Sequence, residues 1–397
     1  MSGQFTSSGR AIRVAFNDLY NPNWIAGGNY LTNLFIALRS LDKREQPEIM
    51  LLSWGHSYDG MKYVDYVLPY NRKPPLYSLL YRVYKHFAGK SHSPLESPLS
   101  RVLRGKSVDC FFLKGSAGDD FRLPLLAWTA DFQFLRMPDM YTHDEIQQRV
   151  ETISQVAKNA NAVIVSSQDS CSDFAAFAPY ALDKTYVLSF VAHMPESVYA
   201  VKPTSICDYY QLPERFFYLP NQFFKHKNHL VIIDALKLLK KDHPQIVVVC
   251  TGKGSDFRHK DYYEELKKKI IDFELKTQFI HLGVIPQEHV YQLMRQAIAL
   301  LQPSLFEGWS TSVEEAKSLG KTVVLSDIPV HREQEPPEGL YFDPYQPEQL
   351  AQILVEMYSN KAPGPDLTLE AMARRNLLPR MQQFGKSFMQ IVKDSIN

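Results

Sequence analysis

Ala297-Ile-Ala-Leu-Leu301, then Phe306-Glu-Gly-Trp-Ser-Thr-Ser-Val-Glu-Glu315 and Ala316-Lys-Ser-Leu-Gly320, is the stretch that decides the fold. Five apolar residues read as a buried strand. Gly308 marks a turn, and Ser310 and Ser312 stand ahead of a helical run closing at Gly320, which together spell strand–loop–helix. Glu307 falls in the loop and Glu315 in the first turns of the helix. Between them, the free backbone N–H groups of residues 310 to 313 point at whatever lies over the helix start, a position that attracts phosphate. Two carboxylates flanking an amide-lined anion site suit a sugar, a diphosphate and a ribose in that order. Spacing alone leaves the plainer reading open, a surface Glu and a helix Glu at chance separation.

The same texture repeats outward in both directions. Ile12–Phe16, Met50–Trp54, Cys110–Leu113, Leu125–Trp128 and Ala162–Ser166 read as short buried strands, with helices between them that include 146–157. Pro195, Pro203 and Pro213 loosen the pattern, and 196–212 reads as a linker. A second alternation follows, with strands at 216–219, 246–250, 279–282, 297–301 and 322–325 and helices at 229–241, 261–273, 287–296 and 312–319. Strands alternating with helices mean parallel βαβ units, here in two Rossmann-like domains at 11–195 and 213–378. The tail from about 367 is helical and broken by Pro379.

A chain of 397 residues is too long for one ordinary core and suits two α/β domains. A net charge of +1 argues against a nucleic-acid partner for the chain as a whole. The polar start and the lack of any eighteen-residue apolar stretch predict neither signal peptide nor membrane span. Four scattered cysteines without a Cys-x-x-Cys pair suit a reduced cytoplasmic protein.

Glycosyltransferase family 4, the retaining enzymes of GT-B fold, is what Pro303-Ser-Leu-Phe-Glu-Gly-Trp309, Glu315-Ala-Lys-Ser-Leu-Gly320 and Thr322-Val-Val-Leu-Ser-Asp327 resemble, through the signature Glu, seven residues, Glu. Residues 215–355 resemble the donor-binding half well, and 11–195 resemble the acceptor half more loosely. The resemblance implies two doubly wound domains facing across a cleft, with the last helix, about 380–397, crossing back to the first. It also implies transfer of a hexose, glucose favoured, from a nucleoside diphosphate sugar, UDP favoured, to a saccharide or lipid-linked saccharide. Within the family the chain resembles cyanobacterial exopolysaccharide enzymes of the kind serving the heterocyst envelope.

Carried over residue by residue, Glu307 holds the reacting sugar and Glu315 the ribose, while Ser310, Thr311 and Ser312 stand at the anion site where the family has glycine and proline. In Pro220-Asn-Gln-Phe-Phe-Lys-His-Lys-Asn-His229, Lys227 matches the family lysine, and Asn221 replaces an arginine whose charged fork an amide cannot supply. Lys227 must then carry more of the charge that builds on the leaving diphosphate. Asn228 reads as the N-cap of the following helix. Val284 and Ile285, in the turn Leu282-Gly-Val-Ile-Pro286, match the segment that meets the base through its main chain. Gly27 and Gly28 match glycines that face the diphosphate and acceptor, although a plain tight turn explains them equally well. Asp131, in Trp128-Thr-Ala-Asp-Phe-Gln-Phe-Leu-Arg-Met-Pro138, is an acceptor-side catalytic candidate, or else caps the turn before Pro138. Phe134 and Arg136 occupy the family's histidine positions, which favours a departing phosphate that itself takes the acceptor proton.

No cofactor is expected beyond the donor sugar. No metal is expected either, because Asp-x-Asp is missing and His226 and His229 lack a matching ligand set. Residues 72–106 contain eight Lys or Arg against Glu96 alone, interleaved with Tyr77, Tyr81 and Tyr84. That pattern suits peripheral contact with an anionic membrane, with an ordinary helix and solvated loop as the plainer reading. Two other classes stay open. A GT-B-shaped binding protein or epimerase without transfer is consistent with Asn221, Phe134 and Arg136. A two-domain NAD-dependent oxidoreductase is disfavoured by the missing glycine fingerprint.

Overall fold

The computed structural model describes residues 10–21, 25–69, 96–202 and 204–396. It divides into two compact units, the first comprising residues up to 138, 142–191 and 378–397, and the second 139–141 and 192–377. Most of the basic, aromatic segment, including Tyr77, Tyr81, Tyr84, Arg82 and Lys85, lies outside the described residues. Its described end forms a helix, Pro98–Gly105, in which Arg104 pairs with Glu96. No described helix is long and apolar enough to cross a membrane.

The first unit is built on a seven-stranded sheet of order β3-β2-β1-β4-β5-β6-β7, with every neighbouring pair parallel. Its strands are β1 (Arg13–Asn17), β2 (Glu48–Ser53), β3 (Tyr66–Pro69), β4 (Cys110–Lys114), β5 (Leu125–Thr129), β6 (Ala162–Val165) and β7 (Thr185–Val187). Central strands run apolar without alternation because helices cover both faces; all of β5 and β6 is buried. Leu188–Val191 directly follows β7. Its apolar residues are buried, yet the chain has already left the sheet.

The second unit carries a six-stranded parallel sheet of order β10-β9-β8-β11-β12-β13. These strands are β8 (Phe217–Leu219), β9 (Val248–Cys250), β10 (Phe279–His281), β11 (Leu300–Gln302), β12 (Val323–Ser326) and β13 (Leu340–Phe342). This is the doubly wound order, which reverses between β8 and β11, and such reversals are where open α/β sheets bind ligands. Residues 196–212 differ from the linker expectation. They hold two short helices, Ser197–Ala200 and Ser205–Tyr210, and Val198, Ile206, Cys207 and Leu212 pack into the core beside Phe216 and Leu293.

The final helix, Leu367–Ile396, runs unbroken through Pro379, and the division between units falls within it. Its start is tied to the second unit by a buried two-pronged bond from Arg295 to Glu370, at 2.8 and 3.1 Å. Its end completes the first unit's core. Phe388 stacks on Phe16 at 5.7 Å, Phe384 meets Tyr30 edge-on, and Met381 and Val392 are buried. A side chain at Gly385 would stand 2.7 Å from the carbonyl oxygen of Ala37, so only glycine permits that approach.

Candidate functional site

The reversal between β8 and β11 gathers the residues that the sequence pattern singles out in the second unit. Lys227 follows β8, in a short helical turn, Lys225–Lys227; Glu307 lies in the loop after β11. Lys227 Nζ donates to Glu307 Oε1 at 2.6 Å, both side chains being largely buried. Glu315 stands in the helix Thr311–Leu319, buried, and accepts from Gln287 Nε2 at 3.2 Å. Burial pushes its carboxyl up to about 8, with the Gln287 bond opposing, so at neutral pH it is predominantly a protonated acid. Such a group both donates and accepts, as recognition of a diol requires.

Gln302, the last residue of β11, organises the site although the sequence pattern does not point to it. Its Nε2 donates to Ser310 Oγ at 2.5 Å and to Ser312 Oγ at 2.9 Å, while its Oε1 accepts from Asn221 Nδ2 and from Ser304 Oγ at 3.3 Å. All five residues are buried. The one available signal is a glutamine ending an otherwise apolar strand, immediately before Pro303. Gly252 supports the same network: its φ is +129°, and a side chain there would lie 2.5 Å from the Asn221 carbonyl oxygen. Gln334 and His331 close the site from beneath. The Ser310 N–H donates to Gln334 Oε1 at 3.1 Å, and Gln334 Nε2 returns a bond to the Ser310 carbonyl at 3.0 Å. His331 Nδ1 lies 2.9 Å from the Ser326 carbonyl, and burial pushes this imidazole down to about 4, keeping it neutral beside Glu307.

Several expectations are corrected by these contacts. The Ser310 N–H is engaged by Gln334 and the Glu314 N–H donates to the Ser310 carbonyl, so any anion would be held by the N–H groups of residues 311 to 313, which have no acceptor within the helix. The hydroxyls of Ser310 and Ser312 turn to Gln302, while Asn221 is locked against the same amide. Asn228 precedes the helix His229–Leu239 but makes no cap bond. It sits at φ +54° and its amide donates to the Pro344 carbonyl at 2.9 Å. His229 is wholly buried and stacks on Phe223 at 4.0 Å, a packing role. Val284 is 71% exposed in the turn before the helix Gln287–Gln296, while Ile285 packs partly on the core.

In the first unit, Gly27 and Gly28 lie inside the helix Ile25–Arg39 rather than in a loop before it. Gly28 packs against Tyr20, where a side chain would come within 3.0 Å of the ring. Asp131 follows β5 and accepts from the Gln133 N–H at 3.1 Å, a local bond at the start of the short helix Gln133–Arg136 that precedes Pro138. Phe134 is buried, and Arg136 forms ion pairs with Asp169 and Asp173. Neither replaces a histidine chemically.

Residues 211–375 match the family model for glycosyl transferases group 1. A 131-residue stretch is 30% identical to the O-antigen chain mannosyltransferase RfbU of Salmonella typhimurium, spanning 33% of this chain and only 35% of that protein's length. Among solved structures, Anabaena Alr3699/HepE in complex with UDP and glucose superposes with a TM-score of 0.65 at 18% identity, covering 94% of this chain and 97% of its own. Sucrose-phosphate synthase from Thermosynechococcus elongatus gives 0.61 at 13% identity, over 97% and 95%. At such identities the likeness establishes the fold, two Rossmann-like α/β units as in GT-B glycosyltransferases.

Proposed function

We propose that this protein is a retaining glycosyltransferase that moves a hexosyl group, glucose favoured, from a UDP-sugar to a saccharide acceptor without a metal ion. The observation that carries the reading is the convergence of Lys227, Glu307, Glu315 and the start of the helix Thr311–Leu319 at the sheet reversal of the second unit. The match of 211–375 to glycosyl transferases group 1 and the UDP and glucose bound by the Anabaena protein support the same chemistry.

In this reading Lys227 and the first-turn N–H groups meet the diphosphate, Glu315 the ribose, Glu307 the sugar, and the main chain at Val284 and Ile285 the base. The bond from the anomeric carbon to the diphosphate oxygen breaks on the same face on which the acceptor hydroxyl forms its new bond. The acceptor proton passes to the departing phosphate. In this reading Glu307 stabilises the cationic sugar between those events, while Lys227 and the helix start stabilise the leaving group. Lipid-linked acceptors and a role in exopolysaccharide synthesis belong to this proposal, as does contact of 72–106 with an anionic membrane.

Incubation with UDP-glucose and a panel of saccharides, read as UDP release and by NMR of the product anomer, tests it. Retained anomeric configuration is expected. UDP-sugar binding without transfer or hydrolysis would favour a binding protein, and a changed sugar without transfer would favour an epimerase.

A further inference from the structure

His331 is wholly buried in the second unit, on the helix Pro329–Gln334 that follows β12. Its Nδ1 stands 2.9 Å from the Ser326 carbonyl oxygen, and a carbonyl can only accept. The ring proton of the neutral imidazole therefore sits on Nδ1, which leaves Nε2 a bare lone pair. That nitrogen is closed off from solvent and has no hydrogen-bond partner. Buried polar atoms without a partner are rare in folded proteins and call for a functional account.

Ser326 ties the ring to the loop that carries Glu307: its Oγ lies 3.1 Å from His331 Nδ1 and donates to the Ser304 carbonyl at 2.5 Å. Two charges act on the imidazole. Glu307 favours its protonation, and Lys227, the ammonium that pairs with Glu307 at 2.6 Å, opposes it. Ionisable groups of the surrounding elements are engaged elsewhere: Glu314 with Lys317 at 3.1 Å, Arg332 with Asp327 at 2.7 Å, and the Tyr341 hydroxyl with the His331 carbonyl rather than its ring. Glu333, on the same helix, is partly exposed. In the proposed transferase Lys227 turns to the diphosphate. Glu307 then loses the counter-ion of a largely buried carboxylate, a costly state. The diphosphate also offsets the charge by which Lys227 opposes protonation of the ring.

From the unpartnered Nε2, the tautomer fixed by Ser326 and one ammonium shared between two anions, we infer that His331 takes up a proton from solvent when the donor binds and becomes the replacement partner of Glu307. It is a positioning residue, acting on the reacting sugar through Glu307. This rests on the proposed donor site and adds a regulation to it, tighter donor binding in mildly acid medium. Burial holds the free imidazole down at about 4, so at neutral pH the unliganded ring is uncharged. A proton bound only in the complex raises affinity as pH falls, by up to about tenfold per pH unit for a full proton, and the gain levels off towards the free-state value.

UDP-glucose is the probe, because its diphosphate is esterified at both ends and does not ionise near neutrality. Calorimetric titration of the full chain at a pH of about 6.5, in buffers of different ionisation enthalpy, reads the protons taken up per ligand bound. Glu315 contributes little at that pH, being protonated up to about 8. Uptake of about half a proton or more, with affinity rising at least about threefold per pH unit on acidification, supports the inference. His331→Gln should abolish the uptake and flatten the pH dependence while UDP-glucose still binds. Should that variant fail to fold, Lys227→Met decides without ligand: loss of the opposing ammonium should move one histidine titration, followed by NMR of the ring nitrogens, to higher pH than in the wild type. Binding without uptake in the wild type, uptake that persists in folded His331→Gln, or unmoved histidine titrations in Lys227→Met would each overturn the inference. A wild type that binds no UDP-glucose would instead remove the donor-site reading on which it rests.

Discussion

Replacing Lys227 by methionine keeps a long unbranched stem and removes the charge, and two separable losses should follow. The first falls on the folded chain. Glu307, only 9% exposed, would lose the ammonium 2.6 Å away. Removing one partner of a fully buried pair costs about 3–5 kcal/mol. The 18% exposure of the Lys227 side chain admits water to the remaining carboxylate and argues for the lower part of that range. At roughly 2–4 °C per kcal/mol for a unit of this size, Tm should fall by several degrees. The second loss falls on the ligand. One charge-assisted phosphate contact contributes ~1.5–3 kcal/mol, so UDP should bind on the order of 10- to 150-fold more weakly. Lys227→Met combined with Glu307→Gln separates the two, because an uncharged amide in place of the carboxylate no longer needs the ammonium. Stability should recover in the double variant while UDP affinity stays low. Calorimetric titration with UDP and thermal unfolding measure both. An unchanged UDP affinity in a destabilised Lys227→Met protein would refute the assignment and leave Lys227 a structural partner of Glu307.

Other substitutions discriminate the remaining roles. Glu307→Gln should mainly lower kcat and Glu315→Gln mainly raise the donor KM, since a sugar cation develops only in the transition state whereas a ribose contact persists throughout; loss of binding alone in both would remove Glu307 from the reacting sugar. The Glu315 carboxyl is protonated up to about 8 when folded and to about 4.5 when unfolded, so stability should decline as pH rises through that interval. Glu315→Gln should flatten the decline, and identical pH profiles of Tm would contradict a buried neutral acid. Gln302→Leu strands the buried polar groups of Asn221, Ser310 and Ser312, each worth about 1–3 kcal/mol if unsatisfied, and should lower both Tm and UDP affinity; an unaffected protein would show that these groups find other partners. Binding of the wild type to anionic vesicles at low salt, abolished by reversing Arg82, Lys85, Arg101 and Arg104 to Glu, checks the membrane reading.

The residues that announce themselves in the sequence are those whose roles are local. The apolar run 162–166 declares a buried strand, the run 297–301 marks one that the structure shifts to Leu300–Gln302, and the interval from Glu307 to Glu315 spans a single loop–helix unit. Edge strands are harder to see. Tyr66 and Val67 in β3 and Leu340 in β13 are exposed by 40% or more, and the apolar runs there, Tyr66-Val-Leu68 and Leu340-Tyr-Phe342, are only three residues long. The Gln302 network is illegible for a different reason: its bond to Asn221 joins residues 81 apart and exists only because β8 lies beside β11. Asn228 shows the limit of local rules, since tertiary contact with Pro344 takes the amide that capping chemistry would use.

The closing helix sets an order of events during synthesis. Gln382 bonds to the carbonyl of Ser40, 342 residues earlier, and Phe388 seals the aromatic cluster around Phe16 and Phe112. At ribosomal speeds of about 5–20 residues per second, that gap is roughly 20–70 s. Throughout it the nascent amino-terminal half carries an unroofed aromatic surface, and the second unit completes all its strands before that roof is made. The half that leaves the ribosome first is therefore finished only after the second unit has been made, and a nonsense codon within the stretch encoding the helix Leu367–Ile396 would cripple the core of the first unit.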